Sequence, residues 1–151
     1  MKKLVILGAG TSGTMMANHL SKKLDNNNWN ITIVDQYKTH YYQPGFLFLP
    51  FDLYTEEQVK KKGSKFIPKS VNYIQEEIQK IDSNKNEIHL INQKLKYDVL
   101  IIATGSKIAP DEVEGMATEK WHKNIFDFYT FEGALALRIK LRKWQGGKLL
   151  V

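Results

Sequence analysis

The sequence predicts an α/β domain with a parallel sheet and a small β-meander, on three observations. The stretch KLVILGAGTSGTMMANHL (residues 3–20) runs from an apolar segment through three spaced glycines into a helix-like pattern. A second apolar run, ITIV, leads directly to Asp35, and short segments separated by turns fill residues 71–103. Strand, helix and strand within the first 35 residues form a β-α-β unit.

Each element follows in order. LVIL (Leu4–Leu7) reads as a buried parallel strand, and Ser12–Leu24 as a helix with Met16, Leu20 and Leu24 at intervals of four. DNNNWN is a turn, and ITIV (Ile31–Val34) a second buried strand. Residues 36–68 keep no sustained period and read as a long excursion, with one short helix over Glu56–Lys61. VNYI, EEIQKID, EIHLI and KYDVLIIATG then read as a meander that returns to a buried strand, Val99–Ala103. Residues 127–144 are expected to be helical, with Phe128, Phe131, Leu135 and Ile139 on an apolar face and Arg142 and Lys143 suiting the C-terminal dipole. Gly146 and Gly147 stop that helix, and KLLV reads as the start of another buried strand. The expected organisation is one domain over 1–145, with 146–151 leading into a second domain, so that these residues are a truncated segment of a longer protein.

Composition narrows the function. The 22 basic residues exceed the 16 acidic ones by six, which suits an anionic cofactor, an acidic membrane surface or nucleic acid. Only Arg138 and Arg142 are arginines, and a surface dominated by lysine argues against nucleic-acid recognition. The chain has no cysteine, hence no disulfide, thiolate metal site or internal dithiol centre. No apolar run approaches the roughly 18 residues of a spanning helix, and the second residue already leads into a strand, leaving no room for a signal peptide. The expected location is cytoplasmic, with peripheral membrane association as the variant.

Gly8, Gly10 and Gly13 match GxGxxG, with Ala17 where a small residue lets the helix lie close on the sheet. The first glycine permits the tight turn, the second lets backbone approach a pyrophosphate, and the third brings helix and strand together. The helix N-terminus, with Thr11 and Ser12 in its first turn, offers free N–H groups to that pyrophosphate. Asp35 follows Gly13 by 22 residues, at the end of the next strand, where a carboxylate accepts two ribose hydroxyls. The rival reading gives the glycines only a tight turn to make. An acid at position 35 disfavours the 2′-phosphate of NADP, while NAD and FAD both remain open.

The stretch KYDVLIIATGSKIAPDEVEG (Lys96–Gly115) resembles the second fingerprint of the FAD-dependent pyridine-nucleotide-disulfide reductase superfamily. The resemblance implies a Rossmann-like FAD-binding domain, with Ala103, Thr104 and Gly105 beside the dinucleotide and the backbone of Ile78 near the adenine. HYYQPGFLFLPFD (His40–Asp52) has two readings: a hydrophobic plug under the meander, or a surface for the flavin edge and an apolar acceptor. That run, with FYTFEGALALRIKLRKWQGGKLLV, resembles the sulfide:quinone oxidoreductases over essentially the whole chain. The resemblance implies Gln43, Pro44 and Gly45 near the isoalloxazine, and an enzyme passing electrons from sulfide through FAD to a quinone. Members of that family depend on cysteines beside the flavin, and these residues hold none. By the same resemblance the segment alone is inactive, since a second dinucleotide domain and later residues complete the flavin site.

Two rivals remain: a type II NADH dehydrogenase or other NAD(P)H-dependent flavin reductase, and a non-catalytic nucleotide-binding module. His19, His40, His89 and His122 lack metal-ligand spacing and read as surface or hydrogen-bonded residues. Lys60, Lys61, Lys62, Lys65 and Lys69 form a solvated face or meet an anionic membrane. Trp121 and Trp144 read as packing residues, and exposed Phe46, Phe48 and Phe51 are expected to drive self-association.

Overall fold

The computed structural model describes residues 1–151, which form two compact units: Met1–Tyr41 with Lys61–Ser106, and Tyr42–Lys60 with Lys107–Val151. In the first unit β1 (Lys2–Leu7), α1 (Thr11–Lys23) and β2 (Trp29–Val34) make the expected β-α-β unit. Strands β5 (Asn72–Ile74) and β9 (Val99–Ile102) complete a four-stranded parallel sheet in the order β5-β2-β1-β9. Its register pairs Leu4 with Ile31 and with Val99. Short strands β3 (Thr39–Tyr41) and β4 (Lys60–Lys62) form a ribbon. Strands β6 (Ile78–Asp82), β7 (Glu87–Leu90) and β8 (Lys94–Lys96) are the antiparallel meander.

LVIL is apolar at every position because both faces of β1 are covered. Leu4 and Ile6 join Ile31, Ile33 and Ala17 in a core that also takes in Met16 and Leu20 of α1 and Leu24 just after it. Val5 and Leu7 point the other way, into a core with Val34, Ile88 and Leu90 that the meander covers. Ala17 is fully buried, as its small side chain requires of a helix lying close on the sheet.

Several expectations need correction. VNYI supplies β5, a parallel edge strand beside β2, instead of opening the meander. Strand β9 pairs with β1 alone and lies at an edge, so Val99 and Ile102 are 39% and 63% exposed where a buried strand was expected. The short helix stops at Val59, and Lys60 and Lys61 enter β4. Residues 144–151 carry no strand, because a strand needs a hydrogen-bonded neighbour and none pairs with KLLV.

In the second unit, 3₁₀ turns over Gln43–Leu47 and Leu49–Phe51 precede α2 (Glu56–Val59), and α3 spans Phe131–Lys143. The aromatic run packs on α3: Phe46 is buried with its ring 5.9 Å from that of Phe131. Helix α3 starts four residues later than expected, since Asp127 and Thr130 build its cap. The Asp127 carboxylate accepts from the Thr130 N–H at 2.6 Å, and Thr130 Oγ1 accepts from the Gly133 N–H at 3.0 Å. Burial pushes Asp127 up, but hydrogen bonds from His122 and Thr130 outweigh it and hold the carboxyl below its ordinary range. Trp121 stacks on His122, while Trp144 is 41% exposed.

Arg138 donates to Glu56 at 2.8 Å, and Arg142 Nε donates to Asp52 at 3.0 Å, tying α3 to the residues after the 3₁₀ turns. The bond from Arg142 holds Asp52 below the usual carboxylate range, and those from Arg138 and then Lys60 do so for Glu56. A carboxyl lowered on folding stabilises above its unfolded pKa, and that contribution is lost as pH falls through the folded value. The second unit is therefore expected to loosen as pH drops below about 4. Urea denaturation should show D52N/E56Q less stable than wild type at about pH 7, and less sensitive to acidification between about pH 6 and pH 3.

Candidate functional site

The sheet order places a change of direction at β1. The chain runs outward from β1 through β2 to β5, then returns to the other side of β1 as β9. Ligands of open α/β sheets bind beyond the carboxyl ends of the strands at such a point. A cavity of 250 Å³ lies there, lined by Gly8, Val34, Asp35, Gln36, Tyr37, Glu77, Ile78 and Thr104.

The glycines divide into two kinds. Gly8 has φ +94°, and a Cβ on it would strike the backbone of Ala103 and come within 2.9 Å of the Thr104 Cα. A Cβ on Gly13 would be driven into the Gly8 carbonyl. These two residues are demanded by packing of strand, turn and helix. Gly10 differs: it is exposed, its φ is an ordinary −70°, and a Cβ on it meets nothing within 4 Å. Space lies open where the turn presents the first N–H groups of α1, at Thr11, Ser12 and Gly13, and no side chain caps that end. Free N–H groups at a helix N-terminus with room before them suit an anion such as a pyrophosphate.

Asp35 completes the mouth of the cavity. Its Oδ2 accepts from the Ala9 N–H at 2.6 Å and its Oδ1 from the Tyr37 N–H at 2.7 Å. A carboxylate offers about four lone-pair sites, so acceptor capacity remains on both oxygens. Tyr73 donates to the Tyr37 carbonyl at 3.1 Å, steadying the same turn, and burial followed by the negative charge of Asp35 raises its phenol above the ordinary value. Ala103 donates to the Leu7 carbonyl at 2.7 Å, which locks the start of the Ala103–Thr104–Gly105 turn to β1. Gly105 has φ +78° with open space around it.

The structure thus brings together Gly8, Asp35, Ile78 and Thr104, with Gly10, Thr11, Ser12 and Gly13 on the adjoining turn. Gln36, Tyr37 and Glu77 belong to the same lining and were missed. Gln36 and Tyr37 directly follow Asp35 in sequence, and that adjacency was the available signal. Gln43, Pro44 and Gly45 lie in the second unit. Gln43 donates to the Tyr129 carbonyl at 3.2 Å, and with Pro44 it lines a 610 Å³ cavity alongside Leu47, Phe126, Phe128 and Tyr129. Gly45 is buried, and a Cβ there would come within 2.5 Å of Val59 and 3.0 Å of Tyr42 and Tyr54. Packing within that unit accounts for this glycine.

A glycine turn, an acid after the second strand and Thr104 of the returning turn around one cavity are the arrangement of a dinucleotide-binding α/β fold. Residues 2–151 match the pyridine nucleotide-disulphide oxidoreductase family, and the chain belongs to it. Among curated relatives, a mitochondrial sulfide:quinone oxidoreductase of Dictyostelium discoideum is 26% identical over 131 residues, covering 86% of this chain and 29% of the relative. A type II NADH:quinone oxidoreductase of Staphylococcus aureus is 29% identical over 122 residues, covering 76% of this chain and 29% of the relative. Of solved structures, the sulfide:quinone oxidoreductase of Aquifex aeolicus superposes with a TM-score of 0.77 at 25% identity, over 95% of this chain and 32% of that one. The chain spans under a third of the length of the proteins it matches. No helix is long and apolar enough to cross a membrane.

The two kinds of glycine give distinct expectations. Gly13→Ala should lower unfolding free energy by about 1–3 kcal/mol or more, since backbone must move. Gly10→Ala should cost no more than about 1 kcal/mol. Denaturation midpoints at unchanged slope measure both.

Proposed function

We propose that these residues are the FAD-binding part of a flavoprotein oxidoreductase that passes electrons from sulfide to a quinone. The observation that carries this reading is the Asp35 carboxylate, held by two backbone N–H groups beside an open glycine turn. Asp35 would accept the adenosine ribose hydroxyls, and the amides of Gly10, Thr11, Ser12 and Gly13 would face the pyrophosphate. The backbone of Ile78 would meet the adenine, and Ala103, Thr104 and Gly105 would run beside the dinucleotide. Gln43, Pro44 and Gly45 would lie toward the isoalloxazine, Gly45 acting by keeping that stretch close-packed. When bound, FAD supplies the two-electron chemistry that couples donor to acceptor; the chain's own residues bind and orient it.

The fit favours a nucleotide with a free ribose. Two carboxylates, Asp35 and Glu77, line one cavity and would repel a 2′-phosphate. The sulfide reading is supported by the Dictyostelium and Aquifex relatives. A second reading, NADH as electron donor, is favoured by the Staphylococcus relative at 29% identity. Peripheral attachment to a membrane would bring a quinone within reach, and exposed Phe48, Phe51 and Leu53 offer a surface for self-association.

Two experiments test these readings. Charge-assisted hydrogen bonds contribute about 1.5–3 kcal/mol, so Asp35→Ala should weaken FAD binding roughly 10-fold to 100-fold in titration of the full-length apo-protein. Unchanged affinity would remove Asp35 from the site. In the full-length protein under anaerobic conditions, sulfide should bleach the flavin absorbance and added quinone should restore it. Rapid bleaching by NADH with none by sulfide would favour the NADH reading.

A further inference from the structure

We propose that His40 is a positioning residue for the dinucleotide turn, holding the Ala9 carbonyl while Asp35 holds the Ala9 N–H. The inference rests on the dinucleotide reading of the glycine turn. Ala9 lies between Gly8 and Gly10 and is buried. Its N–H donates to Asp35 Oδ2 at 2.6 Å, and its carbonyl oxygen lies 3.0 Å from His40 Nδ1. A carbonyl oxygen only accepts, so Nδ1 carries the proton and donates. One residue is therefore held through both of its backbone groups, its N–H in the Gly8–Ala9 peptide and its carbonyl in the Ala9–Gly10 peptide, by side chains from beyond β2, one on the residue that follows the strand and one on β3.

The imidazole is itself braced. The Phe66 ring packs against it with centroids 4.4 Å apart. The Phe66 carbonyl accepts from Asn18 Nδ2 at 2.7 Å, and Asn18 sits on α1, the helix that the glycine turn opens. Asn18 also donates to the Thr14 carbonyl at 2.8 Å, which fixes its amide within α1. The contacts close a circuit from the turn through His40, Phe66 and Asn18 back to the helix that starts at that turn. Rotation of the Ala9–Gly10 peptide, whose carbonyl His40 holds, would tilt the Gly10 N–H that lies in the same plane. His40 thus sets the direction of the Gly10 amide that would meet the pyrophosphate, without touching the ligand.

Two substitutions separate this role from bulk packing. An asparagine amide can place its nitrogen where Nδ1 stands, whereas the longer glutamine places it near Nε2. FAD affinity by calorimetry, melting temperature, and hydrogen exchange at the Ala9 amide are to be measured on the chain as wild type, His40→Asn and His40→Gln. The Asn variant should bind FAD within about 2-fold of wild type, and the Gln variant roughly 3- to 10-fold more weakly, the loss expected for one neutral hydrogen bond. Exchange at Ala9 should quicken in the Gln variant alone, with the two variants melting together. Equal affinity in all three chains, or equal losses in both variants, would overturn the proposal. If wild type binds no dinucleotide, the reading beneath the proposal fails, and the exchange pattern decides the brace by itself: faster in Gln but not Asn upholds it, and unchanged in both overturns it.

Discussion

Three stretches of backbone meet at the carboxyl end of β1 with no room for a side chain between them, and the rest of the first unit is arranged around that meeting. Gly8 turns at φ +94° against Ala103 and Thr104, while Gly13 lies on the Gly8 carbonyl. Helix α1 and strand β9 can approach β1 this closely only because these positions lack a Cβ. The same approach leaves Gly10 facing open space and sets the cavity between residues that are far apart in the chain. Packing density at one point creates emptiness at the next.

The second unit is held by a different chemistry. Its aromatic run folds into 3₁₀ turns whose buried members, Phe46 and Leu49, face inward, while its acids clasp the helix. Both arginines of the chain, Arg138 and Arg142, are engaged with carboxylates of that unit. Their fork geometry serves internal ion pairs.

The parts of this architecture readable in the sequence are those with a period or a steric requirement. The glycine spacing, the apolar runs of β1 and β2, Ala17, and the turns of the meander each report a local rule. The errors arise where local pattern is silent about neighbours. VNYI and VLII are strands in either assignment, but which strand lies beside them is a matter of tertiary pairing, so local pattern alone groups β5 with the meander and makes β9 a buried strand. Phe46 and Phe48 are two residues apart in one apolar run, and only the packing of α3 separates the buried ring from the exposed one. At the site, Gly8, Asp35 and Thr104 follow from motif and resemblance. Glu77 and the His40 contact do not, because each arises from residues brought together by folding and belongs to no spacing rule.

The edge position of β9 also bears on time. Lys3 and Asp98 are bonded across 95 positions, and the register of β9 on β1 depends on that closure. Closing so long a loop costs entropy before any contact rewards it, so this pairing belongs to the late, slow part of folding. The β-α-β unit is local and can form early, presenting its glycine turn while Ala103 and Thr104 are still distant. A nascent chain would therefore carry half of this cavity's lining well before the other half arrives, and the last strand of the sheet to dock is also the one that closes the cavity.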